Sequence, residues 1–136
     1  MNITYHENRI IDTKELIELY KSVEWSGYYE DTYIMEYILK NSLFHISAWD
    51  GEKLVGLVRV VGDVVYIAYI QDILVHPDYQ RHGIGKALME MTLERVRKCR
   101  QIVLTTENSE KTKGFYKSLG FKEFSELGAL GFGYYN

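Results

Sequence analysis

The fold is decided by residues 72–86, which read Asp72-Ile73-Leu74-Val75-His76-Pro77-Asp78-Tyr79-Gln80-Arg81-His82-Gly83-Ile84-Gly85-Lys86. The apolar segment that ends at Val75 predicts a strand, and apolar residues at helical spacing predict a helix over 83–97. A short apolar segment at 102–106 predicts another strand. Strand, helix and strand in this order form a β-α-β unit, so we expect the two strands to be parallel.

The chain before this unit has the pattern of an antiparallel meander. Apolar segments at 44–49, 54–61 and 64–75 are separated by short turns that contain glycine. We expect the third strand to bend around Asp72, where a charge interrupts the apolar residues. The meander and the β-α-β unit together predict a mixed sheet.

The rest of the chain predicts elements that flank this sheet. The sequence Asp12-Thr13-Lys14-Glu15 resembles a capping box that opens a helix, and residues 25–29 interrupt that helix. The other expected elements are a strand at 2–7, a helix from 31 to about 40, a helix at 109–119 ended by Gly120, and final strands at 121–124 and 131–135.

The predicted fold is α/β, in the order β-α-α-β-β-β-α-β-α-β-β. It has a mixed central sheet of about six to seven strands, flanked by about four helices. The length of 136 residues predicts a single domain over 1–136.

Composition excludes several functions. The net charge is −3 with scattered basic residues, which argues against nucleic acid as a partner. No apolar segment is long enough to span a membrane, and no histidine-carboxylate cluster has metal-ligand spacing. The single cysteine, Cys99, excludes an intrachain disulfide, so we expect a cytoplasmic protein.

The loop before the predicted helix is suited to binding phosphate. A helix N-terminus presents N–H groups without acceptors, and glycines allow the backbone to approach a ligand closely. Arg81, His82 and Lys86 add positive charge or donors. A Walker loop is excluded because Ala87 stands where Ser or Thr would hold magnesium, and a dinucleotide loop because Leu88 replaces its third glycine.

The same loop carries a family resemblance. Its pattern Gln80-x-x-Gly83-x-Gly85 resembles the Gln/Arg-x-x-Gly-x-Gly/Ala signature of the GNAT acetyltransferases. Residues 72–79 are similar to that family's fourth strand and exit, and Asn108…Phe115-Tyr116…Gly120-Phe121 is similar to its second cofactor segment. The resemblance covers residues 44–124. Within the family it points to small bacterial and plastid proteins grouped with serotonin and lysine N-acetyltransferases.

The resemblance implies an acetyl-CoA-dependent N-acetyltransferase, in which an amine attacks the thioester directly in a ternary complex. Tyr116 is the expected general acid, because family members carry a tyrosine close to the sulfur and a phenol stays protonated at pH 7. The expected cofactor-binding residues are Ile73, Leu74, Val75, Gln80, Arg81, His82, Gly83, Ile84, Gly85, Lys86, Asn108, Phe115 and Tyr116. Asn108 is also expected to cap the helix that follows it.

The general base is left open. Many members of the resembling family carry a glutamate on the fourth strand, at about the position of Tyr69 or Gln71, and this sequence has none there. Asp72 is the first candidate, Tyr69 the second, and a water relay is an equal rival. In a regular strand Asp72 points to the opposite face, so a bulge would be needed to turn it inward. A purely structural carboxylate is the other interpretation of Asp72.

Aromatic residues are the expected acceptor site. In the resembling family the loop between the first two helices shapes this pocket; here it carries Trp25, Tyr28 and Tyr29, and the C-terminal tail adds Tyr134. These rings either stack on an amine or hold it by cation–π contact, or they only pack the core and its rim.

The acceptor itself is expected to be a small-molecule amine or a protein lysine, and a homodimer through the C-terminal strands is a further expectation. The alternative function is a non-catalytic CoA- or acetyl-CoA-binding sensor or regulatory module. The missing glutamate on the fourth strand, at about the position of Tyr69 or Gln71, is the feature that supports this alternative. A generic nucleotide-phosphate binder is a third class, in which ATP or NAD would compete with CoA.

Overall fold

A computed structural model describes residues 1–136 as two compact units, 1–105 and 106–136. The elements of the first unit are β1 (Ile3–Glu7), α1 (Thr13–Ser22), α2 (Ser26–Tyr29), α3 (Thr32–Tyr37), β2 (Phe44–Asp50), β3 (Lys53–Gly62), β4 (Ile67–Val75), a 3₁₀ helix (Pro77–Tyr79), α4 (Ile84–Val96) and β5 (Gln101–Leu104). The second unit contains α5 (Glu110–Ser118) and a 3₁₀ helix (Phe124–Leu127). The single domain over 1–136 stays a prediction.

One mixed sheet organises the first unit. Its strands lie in the order β1-β2-β3-β4-β5; neighbours from β1 to β4 are antiparallel, and β4 and β5 are parallel. The predicted α/β class, the meander and the parallel pair are therefore confirmed. The sheet has five strands rather than six to seven.

The helices of the first unit cover both faces of this sheet. One face carries Leu57 and Leu74, which form a buried cluster with Leu16 and Leu19 of α1 and Met35 of α3. The other face packs on α4. A Cβ at Gly56 would lie 3.2 Å from side-chain atoms of both Ile84 and Leu88, so the absence of a side chain there lets α4 approach β3 closely.

Aspartates fix where the first helices begin. Asp12 accepts a hydrogen bond from the Lys14 N–H at 3.1 Å and caps α1, so the helix begins where the capping-box pattern predicts, although the Glu15 side chain makes no return bond to the Asp12 N–H. Asp31 caps α3 by accepting from the Tyr33 N–H at 2.9 Å. Between them, Glu24 has a left-handed φ of 62° and ends α1. Residues 25–29 therefore break α1 as predicted, but they also form the short helix α2, which raises the α-helix count to five.

The strand β4 begins later than the expected residue 64. The Asp63 carboxylate accepts hydrogen bonds from the N–H groups of Val65, Tyr66 and Ile67, at 2.8, 2.8 and 3.0 Å. These bonds form a turn whose N–H groups are satisfied locally. The strand therefore starts at Ile67, once this turn is complete.

The two final strands predicted at 121–124 and 131–135 are wrong. Phe124–Leu127 is a 3₁₀ helix that ends at Gly128 (φ 71°), and residues 129–136 form no regular element. Ion pairs of Lys117 with Glu123 (2.9 Å) and Glu126 (3.5 Å) hold this turn against α5. The alternation of apolar residues and glycines in the tail resembles a strand, but a strand also needs a hydrogen-bonding neighbour.

No helix of the protein combines the length and the apolar character that a membrane span requires. No group of three or more histidine, cysteine or carboxylate side chains lies together in a way that could hold a metal ion.

Candidate active site

A bulge in β4 sets the geometry of the site. Arg59 of β3 pairs with Asp72, whereas the next residue of β3, Val60, pairs with Ile70. Gln71 is therefore an extra residue, which changes the alternation of side chains along the strand. As a result Asp72 lies on the same face of the sheet as Tyr69, which pairs with Val61. This is the bulge that the sequence argument required for Asp72 to face inward.

Beyond the bulge, β4 separates from β5. The parallel pairing ends at Ile70 and Leu104, whereas β4 continues to Val75 along β3. The His76 N–H donates to the Val55 carbonyl of β3 at 2.8 Å. Because peptide groups alternate in direction along a strand, Ile73 and Val75 point their N–H and C=O groups to the open edge, while Leu74 points to β3. The open edge can pair with an extended ligand.

The loop after β4 forms a backbone cradle at the N-terminus of α4. Arg81 (φ 66°) and Gly83 (φ 78°) are both left-handed. The first hydrogen bond of the helix runs from the Ala87 N–H to the Gly83 carbonyl, so the preceding N–H groups have no acceptor within the helix. Left-handed residues followed by free N–H groups form an anion-binding concavity. Exposed Arg81, His82 and Lys86 surround it with donors and positive charge.

Two contacts fix the position of this loop. The Tyr79 hydroxyl donates to Asp50 Oδ2 at 2.7 Å, and the Gln80 amide donates to the Val75 carbonyl at 3.0 Å. The hydrogen bond from Tyr79 is the main reason that the pKa of Asp50 is lowered. Sequence reasoning missed Tyr79 and Asp50 as a linked pair, because they are 29 residues apart. Gln80 thus contacts the strand as well as standing at the start of the loop.

The Asp72 carboxylate is buried and accepts three hydrogen bonds. Oδ2 accepts from Arg59 Nε at 2.8 Å and from the Tyr20 hydroxyl at 2.9 Å. Oδ1 accepts from the Tyr28 hydroxyl at 2.7 Å. Burial, followed by the charge of Asp72, holds the pKa of Tyr20 well above its usual value. Burial acts to lower the pKa of Arg59, but the neighbouring carboxylate outweighs it and the pKa is raised.

Arg59 and Tyr20 are members of the site that sequence reasoning did not name. A signal for Arg59 was present, because its charge interrupts an apolar strand and a buried charge needs a partner. The hairpin register of β3 and β4 then makes Asp72 that partner. Tyr20 offers no such signal, since its hydroxyl reaches Asp72 from a helix 52 residues away in the chain.

The aromatic residues expected at the acceptor site have different environments. Tyr28 and Trp25 form a cluster with Tyr20, with ring centroids 4.8 to 6.2 Å apart. Trp25 is more exposed than Tyr28, and Tyr29 packs against the core cluster. Burial, and then the bond to Asp72, raises the pKa of Tyr28. Tyr69 forms a hydrogen bond of 3.0 Å between its hydroxyl and Thr105 Oγ1.

The second unit holds the other expected cofactor residues. Phe115, Tyr116 and Phe121 form an aromatic cluster in which the Tyr116 ring lies 5.0 Å from Phe115 and 5.8 Å from Phe121. Burial raises the pKa of Tyr116, although a hydrogen bond with Thr106 acts in the opposite direction.

Two further expectations concern the ends of this unit. Asn108 is exposed and precedes Ser109, whose hydroxyl caps α5 by accepting from the Thr112 N–H at 3.3 Å; the expectation that Asn108 is the cap is therefore wrong. Tyr134 is 95% exposed and lies outside any regular element.

Comparison with known proteins gives a consistent result. Residues 10–121 match the family described as Acetyltransferase (GNAT) family. An N-acetyltransferase of Pyropia yezoensis, ycf52, is 32% identical over 124 residues, which span 88% of this chain and 70% of that protein. A ycf52-like N-acetyltransferase of Prochlorococcus marinus is 36% identical, but the match spans 65% of this chain and only 51% of that protein.

A solved structure is similar over almost its whole length. The GNAT-family acetyltransferase from Streptococcus pneumoniae TIGR4 is 36% identical and has a TM-score of 0.88, covering 99% of this chain and 98% of that one. The match extends through residues of both units, including the β4 strand, the loop and α5.

Proposed function

Since the chain belongs to the GNAT acetyltransferase family, a family of N-acetyltransferases, we propose that it transfers the acetyl group of acetyl-CoA to a primary amine by direct attack in a ternary complex. The observation that carries this proposal is the continuity of two features. The open edge of β4 leads through a short 3₁₀ helix into the left-handed loop at the N-terminus of α4. An extended arm that ends in a pyrophosphate matches such a pair of features.

The residues of the loop fit a diphosphate without magnesium. The free N–H groups at the start of α4 and the left-handed Arg81 and Gly83 supply backbone donors, and exposed Arg81 and Lys86 supply charge. No carboxylate or hydroxyl group follows Lys86 to hold a metal, because the next residue is Ala87. We therefore assign Gln80, Arg81, His82, Gly83, Ile84, Gly85 and Lys86 to pyrophosphate binding.

The open edge of β4 fits the amide groups of a pantetheine arm. Ile73 directs its N–H and C=O groups to this edge and Val75 its N–H group, while the Val75 carbonyl already accepts from Gln80; an extended chain beside them would continue the sheet as an added strand. When bound, acetyl-CoA supplies the acetyl group as an activated thioester. A backbone N–H on this edge, from Ile73 or Val75, can donate to the thioester carbonyl oxygen.

Tyr116 is the proposed general acid, with Asn108 and Phe115 as cofactor contacts. Its raised pKa keeps the hydroxyl protonated at neutral pH, so the group can donate a proton to the sulfur. This assignment rests on the motif and on the protonation state of the residue.

Asp72 is proposed as a fixed negative charge rather than as the general base. Its oxygens already accept hydrogen bonds from Arg59, Tyr20 and Tyr28, and the side chain is buried. These contacts support the structural interpretation of Asp72 that the sequence left open. The amine proton then leaves through a water relay, or through the Tyr69 hydroxyl, which passes its own proton on to water as it accepts one. Tyr69 shares the face of Asp72 and is less buried.

Thiol release tests the proposal. The protein is incubated with acetyl-CoA and with n-butylamine, 2-phenylethylamine, spermidine or Nα-acetyllysine amide, and free CoA is followed with a thiol reagent. We expect amine-dependent release, and we expect the double variant R81A/K86A to raise the KM for acetyl-CoA. Lys98→Ala, another exposed cation near the opposite end of the same helix, is the matched control.

Binding and competition measurements beside this assay test the two alternative functions. Tight binding of CoA, with no thiol released for any amine, would support a sensor or regulatory module instead. Competition by ATP or NAD would favour a generic nucleotide-phosphate binder. The acceptor as a small amine or a protein lysine and the cytoplasmic setting stay predictions. The homodimer also stays a prediction, but the C-terminal strands that were expected to form it are absent, and the molar mass in solution tests it.

A further inference from the structure

Stability alone does not require a buried ion pair at Arg59 and Asp72. Burying two charges carries a desolvation cost, and such a pair is often replaceable by apolar residues without loss of stability. Here the carboxylate also accepts hydrogen bonds from Tyr20 and Tyr28, so four side chains from α1, α2, β3 and β4 meet at one point. Of the four, Tyr28 is the least buried.

The contact with Asp72 determines what the Tyr28 hydroxyl can do. A carboxylate has no hydrogen to donate, so the single hydroxyl hydrogen of Tyr28 is committed to Asp72 Oδ1 at 2.7 Å. The remaining lone pairs of the Tyr28 oxygen can only accept. The amide of the exposed bulge residue Gln71 approaches this oxygen as a weak donor at 3.4 Å. Toward Gln71, therefore, the group is a hydrogen-bond acceptor made more basic by the carboxylate behind it.

The position of this oxygen relates it to the open edge of β4. Asp72 and Gln71, which contact Tyr28, are the first residues of β4 beyond its last pairing with β5. The acceptor oxygen thus contacts β4 side chains at the level along the strand where the open edge begins. The exposed ring of Trp25, 6.2 Å from the Tyr28 ring between centroids, provides an apolar surface beside it.

We propose that the Tyr28 hydroxyl oxygen accepts a hydrogen bond from the nitrogen of the acceptor amine, and that Asp72, with Arg59 and Tyr20, holds the hydroxyl in this acceptor orientation. The inference rests on the proposed function, because it assigns a residue to the amine of that reaction. Tyr28 is a substrate-binding residue here, and Asp72, Arg59 and Tyr20 are positioning residues. An amine nitrogen, which carries N–H donors, matches an acceptor of this polarity.

Tyr28→Phe tests the assignment, since it removes the hydroxyl and keeps the ring that packs on Tyr20 and Trp25. We expect the KM for the amine to rise about three- to tenfold, the effect of one hydrogen bond, with the KM for acetyl-CoA within about twofold of the wild type. Tyr37→Phe is the matched control, because the Tyr37 hydroxyl on α3 makes no hydrogen bond in the structure. An unchanged KM for the amine in Tyr28→Phe would overturn the inference.

Asp72→Asn separates positioning from simple structural support. At a temperature where circular dichroism shows the variant folded, we expect its amine KM to rise and its acetyl-CoA KM to stay unchanged. If both constants stay at the wild-type values in folded protein, Asp72 does not position Tyr28 for the amine.

The proposed function can fail independently of this inference. If no amine in the panel is acetylated, the proposed function is contradicted, and titration of the CoA-saturated protein with 2-phenylethylamine by calorimetry still compares wild type with Tyr28→Phe. Weaker binding by the variant supports the inference; equal affinity, or no binding to either form, overturns it.

Discussion

Arg59 Nε on β3 lies 2.8 Å from Asp72 Oδ2 on β4, and both side chains are almost completely buried. The bulge at Gln71 makes this pairing possible, since it brings Asp72 to the face that carries Arg59. The bulge therefore has two effects. Gln71 shifts the register of β4 against β3, and the same shift directs the Asp72 carboxylate toward the tyrosines of α1 and α2.

Neutralising Asp72 should destabilise the protein strongly. Asp72→Asn leaves the buried Arg59 guanidinium without its counter-charge, at a cost of about 3 kcal/mol in the free energy of unfolding. Urea denaturation measures this change. The control is Glu94→Gln, which breaks the exposed ion pair of Glu94 with Arg97 (3.6 Å) and should cost less than about 0.5 kcal/mol. Similar losses of unfolding free energy for the two variants would mean that breaking the buried pair costs no more than breaking an exposed one.

Gly83→Ala should destabilise the loop and weaken its binding of acetyl-CoA. Gly83 has a φ of 78°, which costs a residue with a Cβ roughly 1–2 kcal/mol, although the Cβ itself would meet no atom within 4 Å. We expect a lower melting temperature and a higher Kd for acetyl-CoA by calorimetry. Gly114→Ala is the control: it is an open helical position without positive φ, where alanine should stabilise. Equal behaviour of the two alanines would contradict a left-handed requirement at Gly83.

Tyr79→Phe should loosen the loop and leave the KM for the amine unchanged. Loss of its hydrogen bond to Asp50 should raise the KM for acetyl-CoA about two- to fivefold. Steady-state kinetics with each substrate varied in turn measures the change, and Tyr66→Phe, a half-exposed tyrosine outside the loop, is the control. A rise in the amine KM alone would argue against an anchoring role for Tyr79.

The pH dependence of this effect follows from the pKa of Asp50. The Tyr79 hydrogen bond lowers that pKa below 3.8, so the folded state favours the carboxylate. The stabilisation is present above the pKa of the unfolded state and is lost as the pH falls through the lowered folded value. The acetyl-CoA KM of Tyr79→Phe divided by that of the wild type should thus stay constant between about pH 5 and pH 9. A ratio that changes within this window would indicate another titrating group.

Tyr116→Phe should reduce kcat on the order of 100-fold while leaving the Kd for acetyl-CoA nearly unchanged. Burial raises the pKa of Tyr116 above 10.0, so the wild-type residue stays protonated at neutral pH. Single-turnover kinetics measures the chemical step directly. Tyr135→Phe, which alters a tyrosine that is 89% exposed, should be neutral. If Tyr116→Phe keeps the full rate, another donor protonates the sulfur.

Local patterns were sufficient for most of the fold. The helix α4, the loop before it and the strand β4 each follow from apolar spacing and from glycines close to one another in sequence. The strand prediction for the tail was wrong because it relied on a local pattern alone. The alternation of Leu130, Phe132 and Tyr134 with glycine is typical of a strand, but no neighbouring strand pairs with it.

Relations between distant residues were harder to predict from the sequence. The sequence predicts a bend around Asp72 and makes a bulge the condition for Asp72 to face inward, but the existence of the bulge and its position at Gln71 depend on the register of β3 and β4. Tyr28 was predicted for its aromatic ring, whereas its bond to Asp72 depends on how α2 packs against the sheet, 44 residues away in the chain. Hydrogen bonds between residues this far apart in one chain leave no periodic signal in the sequence.

The proposed reaction requires the loop and the open edge of β4 to bind acetyl-CoA so that its acetyl group passes to an amine. Mass spectrometry of the amine after incubation with acetyl-CoA and the protein detects this transfer itself. We expect acetylated amine in equal amount to the free CoA released, with less product formed by Gly83→Ala at limiting acetyl-CoA. Binding of acetyl-CoA with no acetylated product from any amine would contradict it.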